Sequence, residues 1–340
     1  MRRTAAQLRL SLDRQLERPW ATAVLLVSAL LAAAAVSAAT GAVKIPIGTL
    51  PTALLSEAHE LHGLLWNVRL PRIAVAGLVG AALATSGALL QTSVRNPLAD
   101  PGLLGVTPGA GVGALIAILF FPEWMGLLWG FAFVGGALSL AVVLAIASLG
   151  QRAGGPLYII LTGVGMQAML FAVIAMLTFF FADRAPAFVA FTVGSLGSAG
   201  WTDAGVALLP TCVGIAATLL GLRQLDALLL DDDSAGGIGV AVERTRLLGC
   251  ALAALLTAGA VSVAGMVGFV GLMVPNAMRL IVGPRHRTLI PITVLGGALL
   301  VIATDQISRT LVAPLELPVG ALLALIGGPF LLWLLWRRSV

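Results

Sequence analysis

Arg69-Leu70-Pro71-Arg72 and Arg95-Asn96-Pro97-Leu98-Ala99-Asp100-Pro101-Gly102-Leu103-Leu104-Gly105 bracket a run, Ile73 to Thr92, that carries no charge. At 1.5 Å per residue such a run spans about 30 Å, the thickness of a bilayer's hydrocarbon core. Two prolines within five residues forbid a straight helix through the closing segment. The stretch therefore reads as a charged rim, a membrane-crossing helix and an irregular turn. Irregular backbone at membrane depth is tolerated only where protein buries it or a cavity is lined by it, which points to a path through the molecule.

Working outward, the same kind of run recurs. We read ten spans: Trp20 to Ala39, Ile73 to Thr92, Leu103 to Phe121, Met125 to Leu149, Leu157 to Phe181, Ala204 to Leu222, Leu247 to Ala264, a short Val267 to Val282, Leu289 to Ile307 and Pro318 to Trp336. Hydrophobic residues make up 59% of the 340 and charged residues only 10%, against roughly 25% charged in ordinary soluble domains. Lipid obliges each span to satisfy its own amides, so helices are predicted. The period-2 alternation of a barrel is absent. The fold class is all-α: a single transmembrane domain over 1–340, with a tail at 1–19 and a large loop at 223–246. Pro186 to Gly194 is too short to cross and predicts a short helix at the outer side. Small residues spaced four apart, as in Gly77/Ala81, Gly105/Gly109/Gly113 and Gly268/Leu272 with Gly271, predict close helix approach. Ser37-Ala38-Ala39 raises a cleaved signal peptide, but the preceding apolar core is too long for one. Cys212 and Cys250 fall in or beside helices as small hydrophobes.

Threading ten helices from a cytoplasmic N-terminus puts fifteen of the twenty Lys and Arg residues inside, from Arg2 to Arg18 in the tail to Arg337 and Arg338 at the end. Lys44, Arg69, Arg72, Arg184 and Arg309 fall outside. This asymmetry predicts both termini in the cytoplasm. The basic balance is thus topology, and no basic run with interleaved aromatics suggests nucleic acid. The outer arginines read first as snorkelling side chains at helix ends.

Several chemistries are disfavoured. Lys44 is the chain's one lysine and follows Val43 rather than the glycine of a phosphate loop, so any ATP that drives this protein is bound by another polypeptide. Ion-coupled carriage, the alternative reading, wants carboxylates deep in the membrane. Asp305 is the acid clearly within a span, and Arg309 four residues on predicts an i,i+4 pair. Asp203 and Glu316 lie near ends. A third reading is an integral scaffold without transport. Glu57-Ala58-His59-Glu60-Leu61-His62 has a metal-like spacing, but His-x-x-His alone is a weak ligand set and reads as a loop helix. His286, among arginines, reads as surface. No enzyme, metal site or bound cofactor is predicted. Met166, Met169, Met176 and Phe179 to Phe181 form a stripe that packing explains first.

The two bracketing motifs, with Gly265-Met266-Val267-Gly268-Phe269-Val270-Gly271-Leu272-Met273-Val274-Pro275-Asn276, Glu316-Leu317-Pro318-Val319-Gly320 and Gly327-Gly328-Pro329-Phe330, resemble the permease subunits of binding-protein-dependent ABC importers for iron-siderophores, haem and vitamin B12. The resemblance runs over roughly 65 to 338. It implies a type II importer permease in the cell's inner (plasma) membrane, paired with a second permease, usually an identical copy. It further implies two ATPase subunits carrying ATP and Mg, and a periplasmic or lipid-anchored binding protein. Cargo would be an iron-siderophore first, haem next, then a corrinoid or an oxyanion such as molybdate. By the same resemblance Arg69, Arg72 and Arg309 dock the binding protein, and Asn96 and Leu98 form a cytoplasmic gate. Asp232, Asp233, Ala235, Gly239 and Val240 match a pair of short coupling helices on the ATPase, and the helix of Met166 and Met169 lines the path. Gly236 and Gly237 depart from the pattern and predict a shorter or softer coupling helix, since glycine costs about 0.8 to 1.0 kcal/mol against alanine in a helix interior. Asn276 stands where many relatives have histidine, so no imidazole role transfers.

Overall fold

Apolar runs bounded by arginine, proline or glycine become helices wherever lipid leaves the backbone no other partner. The computed structural model describes residues 19–41, 43–124, 127–313 and 315–339, with side chains left undescribed at 147–157, 159, 160, 184–187 and 337–339. The tail before Pro19, with its five arginines, lies outside the described residues. Among the described residues, eight helices are long and apolar enough to cross a membrane and two are shorter. In chain order they are α1 Pro19–Ala39, α2 Leu70–Ser93, α3 Val106–Phe120, α4 Leu128–Ile146, α5 Leu161–Phe180, α6 Trp201–Leu220, α7 Val242–Ala264, α8 Val270–Val282, α9 His286–Thr310 and α10 Val319–Ser339. These coincide with the ten apolar runs read from the sequence.

The short ones have local causes. α3 begins only after Gly105, whose φ of 77° is left-handed, and α8 is set between Phe269 at 66° and Gly283 at 82°. A short helix is present at Ala185–Val193. α4 and α5 belong to one helical run, Leu128–Phe180, of 53 residues. A straight helix of that length would measure about 80 Å, yet the run folds back. The Ser139 hydroxyl donates to the Gly105 carbonyl at 2.8 Å, and the Met166 side chain lies beside the same glycine. α3 is therefore antiparallel to α4, with Gly113 against Phe131, and parallel to α5, with Gly163 against Leu103.

α2 is the axis of the bundle. From Val79 to Ser93 every residue is buried, and it packs on α9, α7, α6 and α8. Two backbone crossings fix it. A Cβ on Gly80 would sit 2.1 Å from the Gly297 carbonyl oxygen, and one on Gly87 only 1.9 Å from that of Gly271. The close approach predicted at Gly77 thus falls one turn further on, and Gly268 meets nothing within 4 Å. Polar seams lock the same helix: the Ser86 hydroxyl donates to the Ala253 carbonyl at 2.8 Å, and the Gln91 amide to the Gly271 carbonyl at 3.1 Å. α1 and α5, in contrast, are almost bare.

Candidate translocation and coupling sites

The sequence at the start of α2 places two arginines three residues apart, and helix geometry turns both toward the bundle. Arg69 ends a π-helical turn, Leu65–Arg69, that continues α2 back to His62. Its guanidinium donates to the carbonyls of Ala38 and Val43. Arg72 is a two-sided fork. Nε and Nη2 reach Asp305 on α9 at 3.1 and 2.9 Å, and Nη1 reaches Glu316 at 2.9 Å. Arg309 stands 3.3 Å from Asp305 as the predicted i,i+4 pair, and donates to Ser37 and Gln306. The three docking candidates therefore do meet at one end of the bundle, but Arg69 and Arg72 are buried and every one has an internal partner. Glu316, half-exposed at 47%, is the group of this cluster that faces outward.

At the other end of α2, two prolines stop the helix and side chains rebuild the turn. The Asn96 carbonyl oxygen accepts from the Leu98 amide at 2.9 Å and Asp100 from the Gly102 amide at 2.8 Å. Asn276 on α8 donates to the Pro97 carbonyl at 2.8 Å and to the Leu272 carbonyl at 2.8 Å. Of the two gate candidates, Asn96 is buried with its oxygen committed to the turn, whereas Leu98 is half-buried. Where the sequence offered asparagine in place of an imidazole, the structure gives it a latch on the proline turn.

The loop after α6 is a pair of short helices, Leu222–Ala227 and Asp232–Gly237. Asp231 caps the second, accepting from the Ser234 amide at 3.1 Å. Hydrogen bonds from the Ser234 hydroxyl and amide hold the Asp231 carboxyl below its usual range, so the cap is intact at neutral pH and is lost as pH falls through that lowered value. Ala235 is fully buried, while Asp233 and Gly239, with φ of 83°, are exposed and Val240 is half-buried. Gly236 and Gly237 end a helix of six residues. Asp232 is half-exposed and pairs with Arg95 at 2.7 Å and Arg246 at 2.9 Å.

The methionine stripe divides. Met166 is half-buried beside Gly105, whereas Met169 is 67% exposed on the bare side of α5 with Met176 and Phe179.

Sequence reasoning placed His286 on the surface; the structure buries it completely. Its backbone amide donates to Asp226 at 2.7 Å, its Nδ1 lies 2.9 Å from the same oxygen, and its Nε2 lies 2.7 Å from the Thr92 hydroxyl. Asp226 is 60 residues away in sequence, and the arginines around His286 masked the contact. The loop histidines are occupied locally: His59 accepts from the Leu61 amide, and His62 Nδ1 lies 2.9 Å from the Ala53 carbonyl. Among the described residues no three His, Cys, Asp or Glu side chains cluster as metal ligands.

A buried arginine cluster lies at one end of α2, and a proline turn with a pair of short helices beside it lies at the other. Comparison with known proteins finds relatives along most of the chain. The chain is 41% identical to the hemin transport system permease protein HmuU of Yersinia pestis, covering 89% of this chain and 91% of that one. It is 38% identical to the cobalamin import system permease protein BtuC of Halobacterium salinarum, over 90% and 85% of the two chains. It is 37% identical to the Fe(3+) dicitrate transport system permease protein FecD of Escherichia coli, over 86% and 92%. A solved metal-chelate type ABC transporter in an inward-facing conformation superposes with a TM-score of 0.79 at 30% identity, covering 93% of this chain and 98% of that one. With the FecCD transport family model matching residues 25–337, the motifs and the fold lead to one conclusion: this multi-pass membrane protein belongs to the FecCD transport family.

Proposed function

We propose that the chain is the permease subunit of an ATP-driven importer of a metal chelate, with an iron-siderophore, haem or a corrinoid as cargo. The observation that carries this reading is the identity of more than a third to permeases for hemin, cobalamin and ferric dicitrate, sustained over most of each chain. Free energy comes from two partner ATPase subunits that bind ATP and Mg, because the chain has a single lysine and no phosphate loop. A second copy covers the bare side of α5, where Met169 would line the shared path with Met166 behind it. The chain lies in the plasma membrane, the inner membrane of a two-membrane cell, with both termini in the cytoplasm, as the distribution of arginine supports.

At the outer end a periplasmic or lipid-anchored binding protein docks over Arg69, Arg72 and Arg309. Because these are internally paired, an acidic side chain of the partner would compete with half-exposed Glu316 for Arg72, a contact that fixes register and speeds encounter. At the inner end the pair of short helices rests on the ATPase through Asp232, Asp233, Ala235, Gly239 and Val240, and Asn96 and Leu98 belong to the gate. Ion-coupled transport gains no support from the geometry, since Asp305 is held by Arg72 and Arg309. The test is uptake of radiolabelled ferric siderophore, haem and cobalamin, in parallel, into liposomes holding the permease, ATPase and binding protein. Uptake of one cargo only when all three proteins are present supports the proposal, and uptake of none with all three present overturns it.

A further inference from the structure

Arg95, the residue before the gate turn, bonds directly to the coupling loop. It lies between Ser93, the last residue of α2, and the proline turn, and its φ of 52° is left-handed, a conformation that non-glycine residues adopt rarely. That backbone sends the side chain toward the helix pair. Its Nε donates to the Leu228 carbonyl at 3.3 Å, and its Nη2 donates to the Leu230 carbonyl and lies 2.7 Å from Asp232. Leu228 is the C-cap of Leu222–Ala227, and Asp232 opens Asp232–Gly237. The guanidinium therefore closes the joint between the two short helices, bonding the C-cap carbonyl of the first, the Leu230 carbonyl of the linker and the first acid of the second. One peptide bond further along, Asn96 accepts from the Leu98 amide and builds the turn. Arg246 also reaches Asp232, at 2.9 Å, but it rises from α7 and is not adjacent to the turn in sequence.

We infer that Arg95 is the positioning residue that carries displacement of the coupling helices to the Asn96–Gly105 turn, so that loop and gate move as one body. The inference rests on the importer reading only for what the motion is used for; the tie itself is a property of this chain. An exposed ion pair contributes little stability. What matters is that three bonds from one rigid fork converge on a joint, and coupling of this kind has to be shown by energetic interaction rather than proximity.

The experiment is amide hydrogen exchange on the full chain in lipid nanodiscs, read at Leu98 to Val106, for the wild type, Asp232→Asn, Arg95→Met, their double variant and Arg246→Met. Asp232→Asn alters the loop alone, yet is expected to speed exchange in the turn about fivefold, a factor equivalent to about 1 kcal/mol of local opening. The double variant is expected to exchange no faster than Arg95→Met, and Arg246→Met to leave the turn at the wild-type rate. Wild-type turn exchange in Asp232→Asn, additive effects in the double variant, or an Arg246→Met effect as large as that of Arg95→Met would each overturn the inference. A second arm uses the assembled importer with whichever of haem, ferric siderophore or cobalamin the wild type takes up. There Arg95→Met is expected to keep ATP hydrolysis while importing about tenfold less cargo per ATP, whereas a purely structural loss would lower both together. If the wild type takes up none of the three, the importer reading fails while the exchange result still decides the tie.

Discussion

Arg72 shows what a single residue does in this fold and why its partners were hidden. From sequence it is one of two cations at a helix start, where snorkelling is the ordinary account. In the structure it is buried and divided between Asp305, 233 residues away, and Glu316, 244 residues away. No local pattern encodes pairs at that separation. The i,i+4 relation of Asp305 and Arg309 was legible because helix geometry alone produces it. Removing one member of a buried ion cluster leaves its partners uncompensated, at a cost of about 3–5 kcal/mol. Arg72→Gln is accordingly expected to lower the thermal unfolding midpoint of the detergent-solubilised protein sharply, with Glu316→Gln much milder because Glu316 is half-exposed. Equal midpoints for Arg72→Gln and wild type would contradict this. His286 teaches the same lesson: Asp226 serves both its amide and its ring. Asp226→Ala should cost about 1–2 kcal/mol as a lost cap for α9, measurable as faster amide exchange in the first turn of that helix.

At the scale of elements, the apolar runs were readable because lipid removes every alternative to helix, while the ends were blurred by polar residues that helices carry into the interface. α3 and α8 lost residues to the left-handed positions at Gly105 and Phe269, and the return between α4 and α5 is visible through the contacts both make with α3 and Gly105. Small residues announced close packing, yet which glycine makes the contact depends on the rotation of α2, which sequence does not specify. Here the prediction is a contrast. Gly87→Ala drives a methyl group into the Gly271 backbone and is expected to destabilise by more than the roughly 3 kcal/mol of ordinary overpacking, seen as loss of monodisperse protein on size exclusion. Gly236→Ala meets nothing within 4 Å and adds helix propensity, so it should leave the midpoint unchanged or higher and keep the coupling loop functional.

For the whole molecule, α2 joins the arginine cluster to the proline turn. Its first turn holds the outer arginine cluster, its buried middle is clamped by Gly271 and Gly297, and its last turn leads into Arg95 and the proline turn. The family motifs were visible in sequence because prolines and glycines sit where the backbone itself is special. The partners of their charged members were not, because bundle packing brings those together. The proposed orientation, with both termini in the cytoplasm, can be checked by placing cysteine at Gly239 in a chain with Cys212 replaced by alanine. An impermeant thiol reagent should label it from the cytoplasmic side of sealed vesicles, and labelling from the opposite side would reverse the topology. The central claim concerns the source of energy. It is tested most directly by measuring cargo uptake into proteoliposomes containing permease, ATPase and binding protein, with ATP supplied to the ATPase side and all ion gradients collapsed by ionophores. The account predicts uptake that continues under these conditions and stops when ATP is withheld. Uptake that requires a proton gradient and proceeds without the ATPase would contradict it.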